Sequence, residues 1–146
     1  MSSLAVIQYA VTVLKVNHII LCGHYECGGV KAALDAKPLG LIDSWLRNIQ
    51  DVYRIHKDEL DALNYEPRVR RLIELNVMEQ ALNLYKNMFV QQTQKERRGF
   101  PKIHGLVFDL KEGRLKRLDL NIKQYLKKYG NIYTYNPDEN AEDRPH

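Results

Sequence analysis

His24-Tyr25-Glu26-Cys27-Gly28-Gly29 follows directly on the apolar run Ile19-Ile20-Leu21-Cys22-Gly23. An imidazole and a thiol three residues apart, at the end of a predicted strand, are half of a tetrahedral zinc site. Structural zinc takes four protein ligands, and catalytic zinc usually takes three plus an open position. The two glycines let the backbone turn tightly and come close to whatever the metal holds. No cysteine follows Cys27, so His24 and Cys27 need further donors from elsewhere. Cys22 shares a strand face with His24, but two residues of strand rise, ~6.6 Å, separate them, and a small packed hydrophobe is the better reading. A disulfide between Cys22 and Cys27 has no assured geometry. Glu26, Asp35 and Asp43 could add a carboxylate, although a solvated loop position is the default for each. His18, His56 and His104 have no ligand-spaced companions in the sequence. Tyr25 either lines a substrate mouth or packs on the following helix.

These residues need elements to hold them. Ser2 or Ser3 can cap a helix to about Leu14, with Val6, Tyr9, Ala10 and Leu14 inward. Asn17 to Gly23 lacks polar alternation, the pattern of a strand buried on both faces of a parallel sheet. Gly28-Gly29 opens a short helix ending before Pro38. A helix from Leu41 to about Lys57 should bury Ile42, Trp45, Leu46, Ile49, Val52 and Tyr53. Pro67 suits a first turn, and Val69, Leu72, Ile73, Val77, Leu82 and Tyr85 extend that helix to about Lys86. A further helix over 88–97, carrying Phe89 at core spacing, closes at Gly99 and Pro101. Ile103 to Leu110 and Arg114 to Leu120 form a hairpin about Lys111-Glu112-Gly113. Asn121 to Tyr129 reads as a basic terminal helix, and 136–146 as a disordered tail. The expected architecture is one α/β domain over 1–135, a mixed sheet flanked by helices.

Composition removes several classes. At 45% hydrophobic and 27% charged, the 146 residues suit a globular domain with a real core. No apolar run reaches the ~18 residues of a membrane span, and the amino terminus lacks a signal-peptide pattern. Two cysteines make no disulfide framework, so a reducing, cytoplasmic setting is expected. An organelle would require a targeting segment outside these residues. Lys95, Arg97, Arg98 and the basic residues of 114–128 alternate with Glu96, Glu112 and Asp119. With Tyr125, Tyr129, Tyr133 and Tyr135 they superficially suggest a stacking platform, yet no nucleic-acid motif accompanies them. Neither a nucleic-acid nor a membrane partner is expected.

From Ser3 to about Leu118 the sequence resembles the middle and end of a β-class carbonic anhydrase. The matching pieces are the helix Leu4 to Val11, the strand Val16 to Cys22, and Gly23-His24-Tyr25-Glu26-Cys27-Gly28-Gly29-Val30. Gly40 to Leu46, Leu75 to Gln80 and His104 to Asp109 continue the match in order. The resemblance implies a zinc enzyme for reversible carbon dioxide hydration, with carbon dioxide and bicarbonate as substrate and product. It implies His24 and Cys27 as metal ligands, a second thiolate, and water or an aspartate in the fourth position. The backbone at Gly28 and Gly29 would shape the substrate pocket. The family's Cys-x-Asp-x-Arg segment, source of the thiolate and of the catalytic Asp-Arg pair, has no counterpart here. The chain as given is therefore expected to be impaired or inactive. The resemblance also implies five strands, four parallel and the last antiparallel, of which two are absent. That leaves Asn17 to Gly23 as an exposed apolar edge and favours a homo-oligomer. Phe108 stands where some bacterial members carry a tyrosine used in a bicarbonate-bound switch, and it has no hydroxyl for that role. The alternative is a catalytically silent α/β oligomerisation or interaction module. A thiol-redox role for Cys22 and Cys27 is a distant third.

Overall fold

Three strands form one sheet in the order β1 (His18–His24), β2 (Lys102–Asp109), β3 (Arg114–Leu118). The computed structural model describes residues 2–135, so the tail expected over 136–146 lies outside the described residues. The Lys102 N–H donates to the Asn17 carbonyl at 2.9 Å, and the Tyr25 N–H to that of Phe108 at 3.0 Å. Like ends therefore meet, and β1 runs parallel to β2 with His24 beside Phe108. β2 and β3 are antiparallel, Gly105 facing Leu118 and Asp109 facing Arg114 across the expected turn. The mixed α/β class stands, with β1 at the edge.

One expectation about β1 fails. Its exposure alternates along the strand, so it is not buried on both faces. His18, Ile20, Cys22 and His24 look outward, and Ile20 is 60% exposed. The reason is that, among the described residues of the same compact unit, the helix packed on β1 lies against the other face. There α5 (Tyr65–Tyr85) buries Val69, Leu72, Ile73, Leu75, Val77, Ala81 and Leu82. The helix comes so close that a Cβ on Gly23 would lie 2.6 Å from one Val77 methyl, and one on Gly105 would lie 3.3 Å from the other. Glycine is what lets helix and sheet touch at these points.

The chain divides into two compact units. The first comprises His18–Asn83 and Ile103–Leu120 and holds nearly the whole sheet. In it α2 (Gly28–Asp35) packs on α3 (Asp43–Ile55) through Val30, Ala33, Leu46 and Ile49. Trp45 and Ile42 do not turn inward as expected, being 58% and 47% exposed. The stripe through Leu46, Ile49 and Val52 faces the core and leaves 42 and 45 at its margin. A short α4 (Lys57–Asp61), unforeseen from the sequence, buries Leu60.

The second unit comprises Met1–Asn17, Leu84–Lys102 and Asn121–His146. Its α1 (Ser2–Gln8) passes into a π-helical turn, Tyr9–Val13, packed on α6 (Met88–Glu96). The wider turn shifts the helical phase. Val11 is consequently the buried residue, while Val6, Tyr9 and Leu14, expected inward, are exposed. The basic terminal helix α7 extends past Tyr129, over Ile122–Tyr133.

Candidate metal centre

His24 closes β1 on the open face. Its Nδ1 lies 2.9 Å from the Tyr25 carbonyl, which can only accept, so Nδ1 carries the proton. Nε2 is left with its lone pair, the tautomer a metal requires. Glu26 then adopts a left-handed φ of 61°, turning the chain sharply. Cys27 caps α2, its carbonyl accepting the Lys31 N–H at 3.1 Å. A Cβ built on Gly29 would lie 3.8 Å from the Cys27 Sγ and 3.4 Å from the Trp45 ring. Gly29 therefore keeps the wall beside the thiol thin, while Gly28 borders open space. Trp45, expected as core, instead flanks this thiol.

The other candidate donors are engaged elsewhere. Glu26 pairs with Lys31 at 2.8 Å, which holds its carboxyl below the usual range. Asp35 accepts from the Tyr65 hydroxyl, and Asp43 takes the Leu39 and Gly40 N–H groups. Cys22 is exposed, its thiol directed to the Gly23 carbonyl at 3.4 Å. Among the described residues no group of three His, Cys, Asp or Glu side chains could hold a metal ion. The donor set thus fits zinc in kind, one imidazole with a free Nε2 and one thiol, and supplies two ligands of the three or four zinc takes. The histidines do find companions in space. His18 Nδ1 lies 3.0 Å from His104 Nε2, across β1 and β2, and His56 meets Glu79 at 2.9 Å.

Beneath the sheet lies a network that sequence reasoning missed. Tyr25 is 3% exposed and lines no mouth. Its hydroxyl donates to Glu74 Oε1 at 2.5 Å, and the Arg70 guanidinium lies 3.7 Å from its ring centre. Glu74 also receives Lys116 at 2.7 Å and Arg71 at 3.0 Å. Burial raises the Glu74 carboxyl, and hydrogen bonds from Lys116, Tyr25 and Arg71 outweigh that and hold it low. Burial, then the hydrogen bond to Glu74, raises the Tyr25 phenol. Arg70 reaches Asp109 at 3.1 Å, and Asp109 caps the hairpin by accepting the Lys111 and Glu112 N–H groups. The sequence did carry one signal, a glutamate set between Ile73 and Leu75 in an apolar helical stripe. Among the described residues no buried side-chain nitrogen or oxygen lacks a hydrogen-bond partner, and the network follows that rule. It anchors Tyr25, and so fixes the backbone between the two candidate ligands.

A family model described as carbonic anhydrase matches residues 1–115. A carbonic anhydrase of Emericella nidulans is 51% identical over 134 residues, covering 91% of this chain and 58% of its own length. The crystal structure of the β-carbonic anhydrase CafA of Aspergillus fumigatus superimposes with a TM-score of 0.82 at 38% identity, over 92% of this chain and 64% of that one. A structure of tetrameric β-carbonic anhydrases from Sordaria macrospora gives 0.74 at 40% identity, over 80% and 59%. The chain thus spans 58% of the length of the Emericella relative it matches. With the β1–α2 turn, the one-sided sheet and these matches taken together, the chain belongs to the carbonic anhydrase family, in its β class.

Proposed function

We propose that this chain carries the His24–Cys27 half of a β-carbonic anhydrase zinc site, serving reversible hydration of carbon dioxide to bicarbonate. The observation that carries the reading is the His24 Nδ1 to Tyr25 carbonyl contact, which leaves Nε2 available three residues before the Cys27 thiol at the α2 cap. Zinc, when bound, supplies hydroxide at neutral pH by lowering the pKa of a water from about 15.7 to about 7. The chain's own residues do the rest. Tyr25, locked beneath the sheet, orients the imidazole. Cys27 would hold the metal through its sulfur, as a thiolate. Gly28 and Gly29 keep the floor of the pocket clear for a small uncharged substrate. The carboxylate of that turn, Glu26, is held by Lys31 and is not placed as a general base.

With two ligands, the chain by itself has little hydratase activity. Stopped-flow hydration with added zinc tests this, the expected rate being near that of buffer. Rates like those of an intact relative, lost in His24→Ala, would overturn the expectation. A second reading, a silent α/β association module, is favoured by the absence of a third donor among the described residues. Metal content of the purified chain separates the two. Self-association belongs to either reading: β1 is an edge strand with Ile20 exposed, and the Sordaria relatives are tetrameric. Among the described residues no helix is long and apolar enough to cross a membrane.

A further inference from the structure

We infer that a cleft at the C-terminal end of α2 binds a small zwitterion, an aliphatic α-amino acid, with its carboxylate on Arg68 and its ammonium on Asp35. The site is separate from His24 and Cys27 and does not depend on how those two residues are read.

The cleft lies within the unit that holds most of the sheet, and α2, α3 and α5 supply its walls. Its volume of about 360 Å³ falls at the small end of the roughly 300–1,000 Å³ found for pockets that hold small molecules. Two charges line it, the Arg68 guanidinium and the Asp35 carboxylate, and neither is used up by its neighbours. Arg68 closes the end of α4. Its Nε and Nη2 donate to the Leu63 carbonyl at 3.1 and 2.7 Å, and Nη2 also approaches the Asp61 carbonyl at 3.4 Å. The backbone thus takes one side of the planar fork and fixes its orientation. Nη1 has no partner among the described residues, so two of the five N–H donors are left for a carboxylate. A cap on α4 accounts for the first three donors and not for these two.

Asp35 is half used in the same way. Its Oδ1 accepts the Tyr65 hydroxyl at 2.9 Å, while the exposed Lys37 comes only to 4.0 Å from Oδ2. Oδ2 is open to an ammonium. Tyr65 and Arg68 stand at i and i+3 on α5 and share a face of it, so the Tyr65 bond brings Asp35 to the side where Arg68 stands. A plain anion would meet Asp35, and a plain cation would meet Arg68. A molecule carrying both charges satisfies each. Gln50, its Nε2 donating to the Ala33 carbonyl at 3.2 Å, adds an amide oxygen that can accept from the ammonium. The Tyr53 hydroxyl is committed to Asp61, so its ring contributes apolar surface instead of a donor. With Ala33, Leu34 and Leu72 it leaves room for a short aliphatic side chain.

The test titrates the full chain, freed of metal with a chelator and desalted, with L-leucine at neutral pH. Two analogues each lack one charge: leucinamide has no carboxylate and 4-methylpentanoate no ammonium. Leucine should bind, and each analogue should bind at least about tenfold more weakly, the cost of one charge-assisted hydrogen bond. Asp35→Asn keeps an acceptor for Tyr65 and should make leucine and 4-methylpentanoate equal. Arg68→Gln should make leucine and leucinamide equal. Should loss of the α4 cap unfold that variant, the Asp35→Asn arm decides, because it leaves the cap untouched. No binding of leucine at about 10 mM, by calorimetry and by a rise in melting temperature, overturns the inference. So does an affinity for leucine that either analogue matches, or one that Asp35→Asn leaves unchanged.

Discussion

His24 and Tyr25 are consecutive in the chain and belong to opposite faces of one sheet. On the covered face, Tyr25, Glu74, Arg70, Arg71, Lys116 and Asp109 are joined by hydrogen bonds and ion pairs against α5. On the open face, His18, Ile20, Cys22 and His24 look into solvent. The covered face has many charges and no unpaired chemistry. The open face carries the imidazoles of His18 and His24 and the Cys22 thiol. The difference separates two jobs that adjacent residues share here, fixing the backbone and presenting the ligand. Tyr25 does the first for His24 by offering its carbonyl to Nδ1 from a position its own ring cannot leave.

The contrast predicts a steep asymmetry in stability. Glu74→Ala should have the largest effect, about 3 kcal/mol in urea unfolding, because Tyr25, Arg71 and Lys116 lose a common partner. A loss below about 0.5 kcal/mol, the scale of an ordinary surface substitution, would show the network to be ornamental. The same carboxyl gives a pH signature. Its folded pKa is depressed, so its contribution is complete above the unfolded value of about 4.3 and fades as pH falls through the folded value. The wild type should therefore lose stability on acidification below about pH 4.3, and Glu74→Gln should flatten part of that slope. Asp109, held low by the Arg70 hydrogen bond, sustains the remainder.

Next in size is Gly23→Ala. The new methyl would meet Val77 Cγ2 at 2.6 Å, and a β-branched side chain within a helix has little freedom to yield. A loss of about 1–3 kcal/mol is expected from overpacking. Its sequence neighbour Cys22→Ala, on the open face, should stay within about 0.5 kcal/mol, so chemical denaturation of the pair compares the two faces at one step along the strand. Tyr25→Phe should cost about 1 kcal/mol, one hydrogen bond to a charged acceptor less, with the Arg70 stacking kept. Smallest of all is His24→Ala without metal, within about 0.5 kcal/mol of wild type by thermal melting. Equal losses in His24→Ala and Tyr25→Phe would erase the division of labour.

Local chemistry was legible in the residues. Gly23 to Val30 announced a strand end, a tight turn and a helix start, and all three are present. The hairpin about Lys111-Glu112-Gly113 and the helix after Pro67 were equally readable, because turn residues and periodicity act over a few positions. Phase was harder. Val6, Tyr9, Leu14 and Trp45 were placed inward from periodicity, but they are exposed beside a π-helical turn and beside an α3 stripe that runs through Leu46, Ile49 and Val52. The Glu74 network was hard to read because its bonded members lie up to 49 residues apart, as Tyr25 and Glu74 do. His18 and His104, without partners in sequence, meet across 86 positions.

The sequence by itself determined that an imidazole and a thiol stand on either side of a tight turn, and the family whose pattern they follow. Those facts reside in residue identity and short spacing, which the chain carries before it folds. Tertiary structure alone decided that β1 covers one face and bares the other, that Tyr25 turns inward to a buried carboxylate while His24 turns out, and that two distant histidines stand together. Each of those depends on which surfaces α5 covers and which strands β2 joins. Burial and register are properties of the assembled layers, and no single segment encodes them.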